Sequence, residues 1–246
     1  MSQTIAMWSG PRNLSTAMMR SFGARGDTAV WDEPFFAPFL LVSGKDHPGR
    51  EESLREHETD PIIVAERCGQ PASDGQAYFF QKHMPHHMLS HTPDAFPLDW
   101  AVRAKHFFLI REPSRVIASY SKGRAEFDLD DLGYRAQRQL FDRLCDMTGS
   151  APPIVDCMDI LENPEGVLLA LCAALDMPWD RAMLSWKAGP RATDGAWAPY
   201  WYSSVESSTG FAAAPTNRPV VDIQYADILA SAQIDYDALY ARRLTA

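Results

Sequence analysis

Residues 4–22 read TIAMWSGPRNLSTAMMRSF, and this stretch decides the fold. Ile5 to Trp8 is a short apolar run, the mark of a buried strand. Ser9-Gly10-Pro11 is a turn signal. Arg12-Asn13-Leu14-Ser15-Thr16 is basic and carries hydroxyls. A helix pattern follows, with Ala17, Met18 and Phe22 apolar and Met19 and Arg20 between them. Strand, loop and helix in this order make an anion cradle, because free N–H groups and the helix dipole both point at the loop. The cradle lacks the pattern of ATP and GTP sites: no Lys precedes the hydroxyl pair and the second glycine is missing. Arg12 offers a permanent, forked cation in place of that Lys.

Outward from this stretch, strands and helices alternate. Thr28 to Trp31 is a second short strand that runs into Asp32-Glu33-Pro34. A carboxylate at a strand end beside an anion loop is where α/β proteins place reacting groups. Phe35 to Val42 is apolar and helical, and residues 43–60 are a charge-dense surface segment with one short helix. Ile62 to Ala65 is helix or strand, residues 72–76 a turn, and Ala77 to His83 an aromatic-rich strand. Met84-Pro85 opens a helix through Leu89, and residues 90–100 are a Pro-rich connection. Lys105 to Arg111 is the clearest buried strand, and Pro113 opens a helix to about Arg124. A longer helix is expected from about Asp130, with Leu132, Ala136, Leu140, Leu144 and Met147 on one face and Gly149 as its stop. Pro153 to Met158 reads as a strand, and Asn163-Pro164 caps and opens a helix through Leu175. Residues 188–220 form a long aperiodic loop, and the last thirty residues read as short helices. The pattern predicts a mostly parallel sheet flanked by helices, in one domain spanning residues 1–246.

The composition narrows the function. With 246 residues and 46% apolar side chains the chain can bury a sizeable core. A net charge of −9 argues against binding a nucleic-acid polymer, though not against a local basic pocket for a nucleotide. Cys68, Cys145, Cys157 and Cys172 lack metal-type pair spacing and read as reduced thiols of a cytoplasmic protein. No secretory leader and no membrane span are expected, since no window approaches eighteen apolar residues. His83, His86 and His87 suggest a metal cluster at first sight, but helix capping and solvent contact account for His86 and His87. No metal is expected, and no heptad or apolar stripe reveals an oligomeric state.

A second segment, Arg111-Glu-Pro-Ser-Arg-Val-Ile-Ala-Ser119-Tyr120, leaves a buried strand and enters a helix. A guanidinium at Arg111 and a hydroxyl at Ser119 can hold one anion. The Pro-Arg-x-x-Ser-Thr loop at 11–16 resembles the 5′-phosphosulfate loop of sulfotransferases that use 3′-phosphoadenosine 5′-phosphosulfate (PAPS), with Asn13-Leu14 where Ser-Gly is usual. The segment from Arg111 to Tyr120 resembles the family's 3′-phosphate motif, matching at Arg111, Pro113, Val116, Ser119 and Tyr120. Asp159-Ile-Leu161 with Asn163-Pro164 and the helix to Leu175 is similar to a third family segment. Arg191 to Trp197 faintly resembles the family's C-terminal nucleotide loop.

The resemblance implies a nucleotide-kinase-like α/β fold and transfer of a sulfuryl group from PAPS to a hydroxyl or amine of a small-molecule or carbohydrate acceptor. It implies that Arg12, Ser15 and Thr16 hold the phosphosulfate end, that Arg111 and Ser119 hold the 3′-phosphate, and that Asn13, Leu14 and Arg191 also belong to the cofactor-binding loops. The reaction needs a base for the acceptor proton and donors for the leaving phosphate. Two candidates for the base remain, Glu33 in Asp-Glu-Pro and His83 in Gln-Lys-His-Met-Pro, with Lys82 placed to steady the leaving oxygen. A non-catalytic 3′-phosphoadenosine nucleotide-binding protein and an ATP-dependent phosphotransferase are the alternatives. The aromatic run Trp197 to Tyr202, with Phe35 and Phe36, suggests a pocket lined by rings.

Overall fold

A computed structural model describes residues 2–72, 75–89, 96–124 and 126–245. Its sheet holds five parallel strands: β1 (Gln3–Ser9), β2 (Thr28–Asp32), β3 (Tyr78–His83), β4 (Lys105–Ile110) and β5 (Ile154–Asp156). Their spatial order is β2-β3-β1-β4-β5, so the chain steps outward one way from β1 and later the other way. The carboxyl ends of β1 and its neighbours β3 and β4 therefore diverge around one crevice, the usual ligand position in such sheets.

Helices fill every crossover. The helix α1 (Ser15–Gly23) joins β1 to β2. Between β2 and β3 lie α2 (Phe36–Ser43), α3 (Arg50–Glu56) and α4 (Pro61–Cys68). A short helix, α5 (Pro85–Leu89), and a 3₁₀ turn at Asp99–Arg103 precede β4. Then come α6 (Pro113–Tyr120), α7 (Leu129–Leu132) and α8 (Tyr134–Thr148) before β5. The chain ends with α9 (Cys157–Glu162), α10 (Pro164–Ala174), α11 (Ala198–Trp201), α12 (Ser203–Glu206) and α13 (Ala226–Tyr240).

Side chains alternate across the strands, and the alternation divides the core in two. Ile5, Met7, Phe107 and Leu109 pack with Met18 and Phe22 of α1 and Leu168 and Leu171 of α10. Ala6, Trp8, Phe108 and Ile110 pack on the opposite face with Leu140 and Leu144 of α8 and Ala232 and Leu239 of α13. Both faces are buried, which is why these strands read as unbroken apolar runs. Burying each large apolar side chain contributes roughly 1.5–3 kcal/mol.

Four sequence expectations change. The helix expected from Asp130 is two helices, because Gly133 takes φ 73° and turns the chain between α7 and α8. A Cβ there would lie 3.0 Å from His86 Nδ1, so the glycine also makes room for α5. The strand expected to Met158 stops at Asp156, whose carboxylate accepts from Met158 N (2.7 Å) and caps α9 instead. The final segment is one fifteen-residue helix, α13, rather than several short ones. The long loop 188–220 contains the single turns α11 and α12. Residues 90–95 of the Pro-rich connection and 73–74 of the expected turn lie outside the described residues.

Candidate active site

A cavity of about 350 Å³ opens at the carboxyl end of the sheet. The loop of residues 11–17 forms one end of it, together with Arg111 and Ser119. Gly10 makes the tight exit from β1 possible, since a Cβ there would approach the Leu132 carbonyl to 2.9 Å. Arg12 and Leu14 both adopt left-handed backbone, at φ 60° and 58°. For a non-glycine residue this costs about 1–2 kcal/mol. The cost explains why glycine is usual at the position Leu14 fills; here its side chain packs against the core cluster around α1 and offsets the strain.

The donors at this end are only partly used within the protein. No side chain caps α1 at its N-terminus, and the first closing bond runs from Met18 N to Leu14 O (3.0 Å). The N–H groups of Ser15, Thr16 and Ala17 therefore have no helical partner. Arg12 Nε donates to Ser119 Oγ (3.0 Å), and Arg111 Nη1 donates to the Arg12 carbonyl (2.6 Å). Two guanidinium groups are thus held side by side, and neither pairs with a carboxylate among the described residues. Burial, and then the charge on Arg111, push the Arg12 pKa down. Asn13 lines the cavity and also anchors the loop: its side-chain amide donates to Leu109 O (3.2 Å), and its backbone carbonyl accepts from Cys157 Sγ. It pins the loop to β4 and leaves the loop's backbone to face the cavity.

The other end of the cavity is built on the ends of β2 and β3. Glu33 sits just past β2 with φ 42°, a strained conformation that turns its carboxylate into the cavity. Lys82 of β3 is 1% exposed and reaches Asp32 Oδ1 (2.9 Å), Glu33 Oε1 (2.5 Å) and Tyr202 Oη (2.6 Å). Tyr202 donates in turn to Asp32 Oδ2 (2.7 Å), and Trp197 Nε1 donates to Tyr202 (3.0 Å). The Gly195 amide also donates to Asp32 Oδ2 (3.1 Å). Burial by itself would lower the Lys82 pKa, but Asp32 and Glu33 outweigh it and hold the ammonium well above its usual range. Burial raises the Glu33 pKa and Asp32 adds to this, while Lys82 opposes it.

An ammonium has three protons to give, and Lys82 has given all three. It is not free to steady a leaving oxygen as the sequence suggested. The expectation for His83 changes more sharply. Neighbours along a strand point to opposite faces, so Lys82 faces the cavity and His83 faces away. His83 is 1% exposed, stacks on Trp8 (4.5 Å between rings) and bonds Gln81 Oε1 through Nε2 (3.1 Å). Burial holds its pKa well below the usual range. It does not reach the cavity.

Arg191 is also elsewhere. Its guanidinium curls back onto the carbonyls of Lys187, Gly189 and Pro190, and its amide donates to Asp194. It lines a separate cavity beside β2. His86 and His87, expected as solvent-facing caps, line the site instead. His87 is buried and stacks on Phe39 (4.7 Å), and burial pushes the His86 pKa down to about 3. Among the described residues no three His, Cys, Asp or Glu side chains gather as a metal-binding group.

Three contributions to the site had no clear sequence signal. The polar segment 43–60 supplies a wall: Lys45 pairs with Asp131 (2.5 Å), and His47 packs between Phe36 and Trp201. His57 accepts from the Ala196 amide (3.2 Å), which ties this wall to the long loop. Asp32 and Tyr202 are drawn together across 170 residues. The aromatic run Trp197 to Tyr202 was the one available hint, and only as a pocket lined by rings.

Comparison with known proteins places this geometry. A family model described as a sulfotransferase domain matches residues 3–243. A curated Arabidopsis thaliana protein, "Branched-chain-amino-acid aminotransferase-like protein 1", is 37% identical over 227 residues, covering 92% of this chain. The chain spans only 40% of that protein's length, so its name carries no activity over. Among solved structures, a sulfotransferase from Alicyclobacillus acidocaldarius aligns over 99% of this chain and 98% of its own, at 12% identity and a TM-score of 0.52. The sulfotransferase domain of the Synechococcus PCC 7002 olefin synthase aligns over 99% and 96%, at 18% identity and a TM-score of 0.50. At such identities these structures speak for the fold alone.

Proposed function

Because the chain belongs to the sulfotransferase domain family, we propose that it moves a sulfuryl group from PAPS to a hydroxyl or amine of a small-molecule or carbohydrate acceptor. In this reading residues 1–246 act as one domain, in the cytoplasm. One observation carries it. Two adjacent guanidinium groups without carboxylate partners and an uncapped helix N-terminus converge on one cavity, which is what a doubly anionic nucleotide requires. The residues present fit PAPS. The Ser15, Thr16 and Ala17 amides with Arg12 would hold its phosphosulfate end, and Arg111 with Ser119 its 3′-phosphate. PAPS supplies an activated sulfuryl group on a phosphate leaving group.

The remaining chemistry belongs to the chain. Glu33 Oε1 accepts a hydrogen bond from the Lys82 ammonium, and Oε2 has no hydrogen-bond partner among the described residues. Oε2 is placed to accept the acceptor proton as the new sulfur–oxygen (or sulfur–nitrogen) bond forms. Charge left on the phosphate as the old sulfur–oxygen bond breaks falls to Arg12 and the loop amides, since Lys82 has no proton to spare. Glu33 is the base in this reading because it reaches the cavity and His83 does not.

Thermal shift tests the donor. 3′-Phosphoadenosine 5′-phosphate at a hundred times its dissociation constant stabilises by about 2.7 kcal/mol. That stabilisation, absent with adenosine 5′-phosphate and absent in Arg111→Ala, is the expected result. A preference for Mg²⁺-ATP would overturn the reading and favour a phosphotransferase.

A further inference from the structure

We propose that Tyr202, acting with Asp32, is a positioning residue that fixes the ammonium of Lys82 and so fixes which oxygen of Glu33 is free to accept a proton. The inference rests on the reading of Glu33 as the base. Its ground is the geometry of one closed circuit. Tyr202 Oη accepts from Lys82 Nζ (2.6 Å) and donates to Asp32 Oδ2 (2.7 Å), while Lys82 Nζ also donates to Asp32 Oδ1 (2.9 Å). The three groups close a ring of hydrogen bonds in which each fixes the other two. The remaining Lys82 proton then has one direction left, toward Glu33 Oε1 (2.5 Å). A flexible four-carbon stem would otherwise let the ammonium wander.

The circuit is locked from outside. The Trp197 indole donates to Tyr202 (3.0 Å) and the Gly195 amide to Asp32 (3.1 Å). All these groups are buried: Asp32 is 3% exposed, Lys82 1% and Tyr202 4%. At such burial an unsatisfied donor is costly, so removing one member forces the others to rearrange. Without the Tyr202 hydroxyl, Asp32 Oδ2 keeps only the Gly195 amide as a donor and Lys82 loses one of its three acceptors. The ammonium turns toward Asp32 and loosens its hold on Glu33. A carboxylate with less cationic support binds its proton more tightly, so more of Glu33 is protonated at neutral pH.

Tyr202 also belongs to a stretch of chain that lines the cavity. Trp197 and Tyr202 meet Asp32 and Lys82, while Ser204, Ser208 and Phe211, a few residues on, line the same cavity. The position of the hydroxyl is therefore set by a segment that itself borders the site.

The test is Tyr202→Phe, which keeps the ring and removes only the hydroxyl. Turnover from PAPS to a working acceptor is measured from acid to alkaline pH, and Glu33 is titrated by NMR with ¹³C-labelled glutamate. One lost hydrogen bond to a charge lowers kcat roughly ten-fold near neutral pH. KM for PAPS stays as in the unaltered chain. The acid limb of the kcat profile and the Glu33 titration both move to higher pH, and kcat recovers toward the alkaline side. A uniform loss of kcat at every pH with an unmoved Glu33 titration overturns the proposal, as does an effect on KM alone. If the unaltered chain transfers nothing from PAPS, the donor reading fails on its own, and the NMR titration still decides whether Tyr202 sets the state of Glu33. Should Tyr202→Phe fold poorly, Trp197→Phe withdraws the outer donor to the same hydroxyl and is expected to give a smaller shift of the same sign. No shift there overturns the proposal.

Discussion

The two ends of the cavity solve opposite electrostatic problems. At the loop end, Arg12 and Arg111 stand together with no carboxylate partner among the described residues, and no side chain caps the first turn of α1. At the other end, Asp32, Glu33, Lys82 and Tyr202 satisfy one another. The first arrangement is complete only with an anion from outside, so its contribution to stability depends on a ligand. The second pairs Lys82 and both oxygens of Asp32 and leaves only Glu33 Oε2 open, so its geometry is set before any substrate arrives, as the proposed proton transfer needs. On the proposed reading, the end that binds charge leaves two cations unpaired, whereas the end that moves a proton shares one cation between two carboxylates and compensates them in part.

Substitutions can break this contrast. Lys82→Met is expected to be the most damaging, because it leaves Asp32 and Glu33 buried beside each other without a cation. Breaking a buried pair in this way costs about 3–5 kcal/mol. Chemical denaturation reads the loss, and a change under about 1 kcal/mol would mean the base end is not self-compensating. Glu33→Gln is expected to lower turnover about 10²- to 10⁴-fold while 3′-phosphoadenosine 5′-phosphate still raises the melting temperature. Unchanged turnover would remove Glu33 from the mechanism.

A pH series sharpens the contrast from beneath the base end. His106 Nδ1 accepts from Trp8 Nε1 (3.0 Å) and Nε2 donates to the Ala101 carbonyl (2.8 Å), so the ring has no place for a second proton. Burial lowers its pKa from 6.5 to about 4. The unfolded chain takes up a proton that the native chain refuses, so this stability is whole above pH 6.5 and is lost as the pH falls toward 4. By about pH 5 the loss from His106 alone is about 2 kcal/mol. His83, His86 and His87, also held neutral by burial, act in the same direction. Asp156, raised by burial to about 6, acts in the opposite sense, so an NMR titration of the His106 ring checks this, and a ring that titrates near 6.5 in the native chain would refute it. The smallest expected effect is at Ser119. Ser119→Ala removes one hydrogen bond to Arg12, costs about 1 kcal/mol of nucleotide affinity and leaves turnover at saturation unchanged. A thermal shift titration measures it.

The loop end was far more legible in the sequence than the base end. Its groups come from two compact segments, 11–17 and 111–119, each leaving a strand and entering a helix, so local spacing announces them. The strands around it were equally plain, because Ile5 to Trp8 and Phe107 to Ile110 are buried on both faces and read as apolar runs. The base end draws Asp32, Lys82 and Tyr202 from three distant places. No spacing rule links them, and both Lys82 and His83 look suitable until the pleat sends one to each face. Arg191 and the histidines of α5 were misread for the same reason: burial and direction are tertiary facts.

By itself the sequence determined the parallel sheet, the turn and basic loop after its first strand and the second basic segment that begins at Arg111. Those features follow from short-range rules, namely which residues tolerate a strand, a turn or a helix start. Only the tertiary structure decided that Lys82 is spent on Asp32, Glu33 and Tyr202, that Glu33 and not His83 meets the cavity, and that residues 43–60 wall it. Those outcomes depend on which buried charges find partners, and the low dielectric of a packed interior makes that choice only after distant segments have come together.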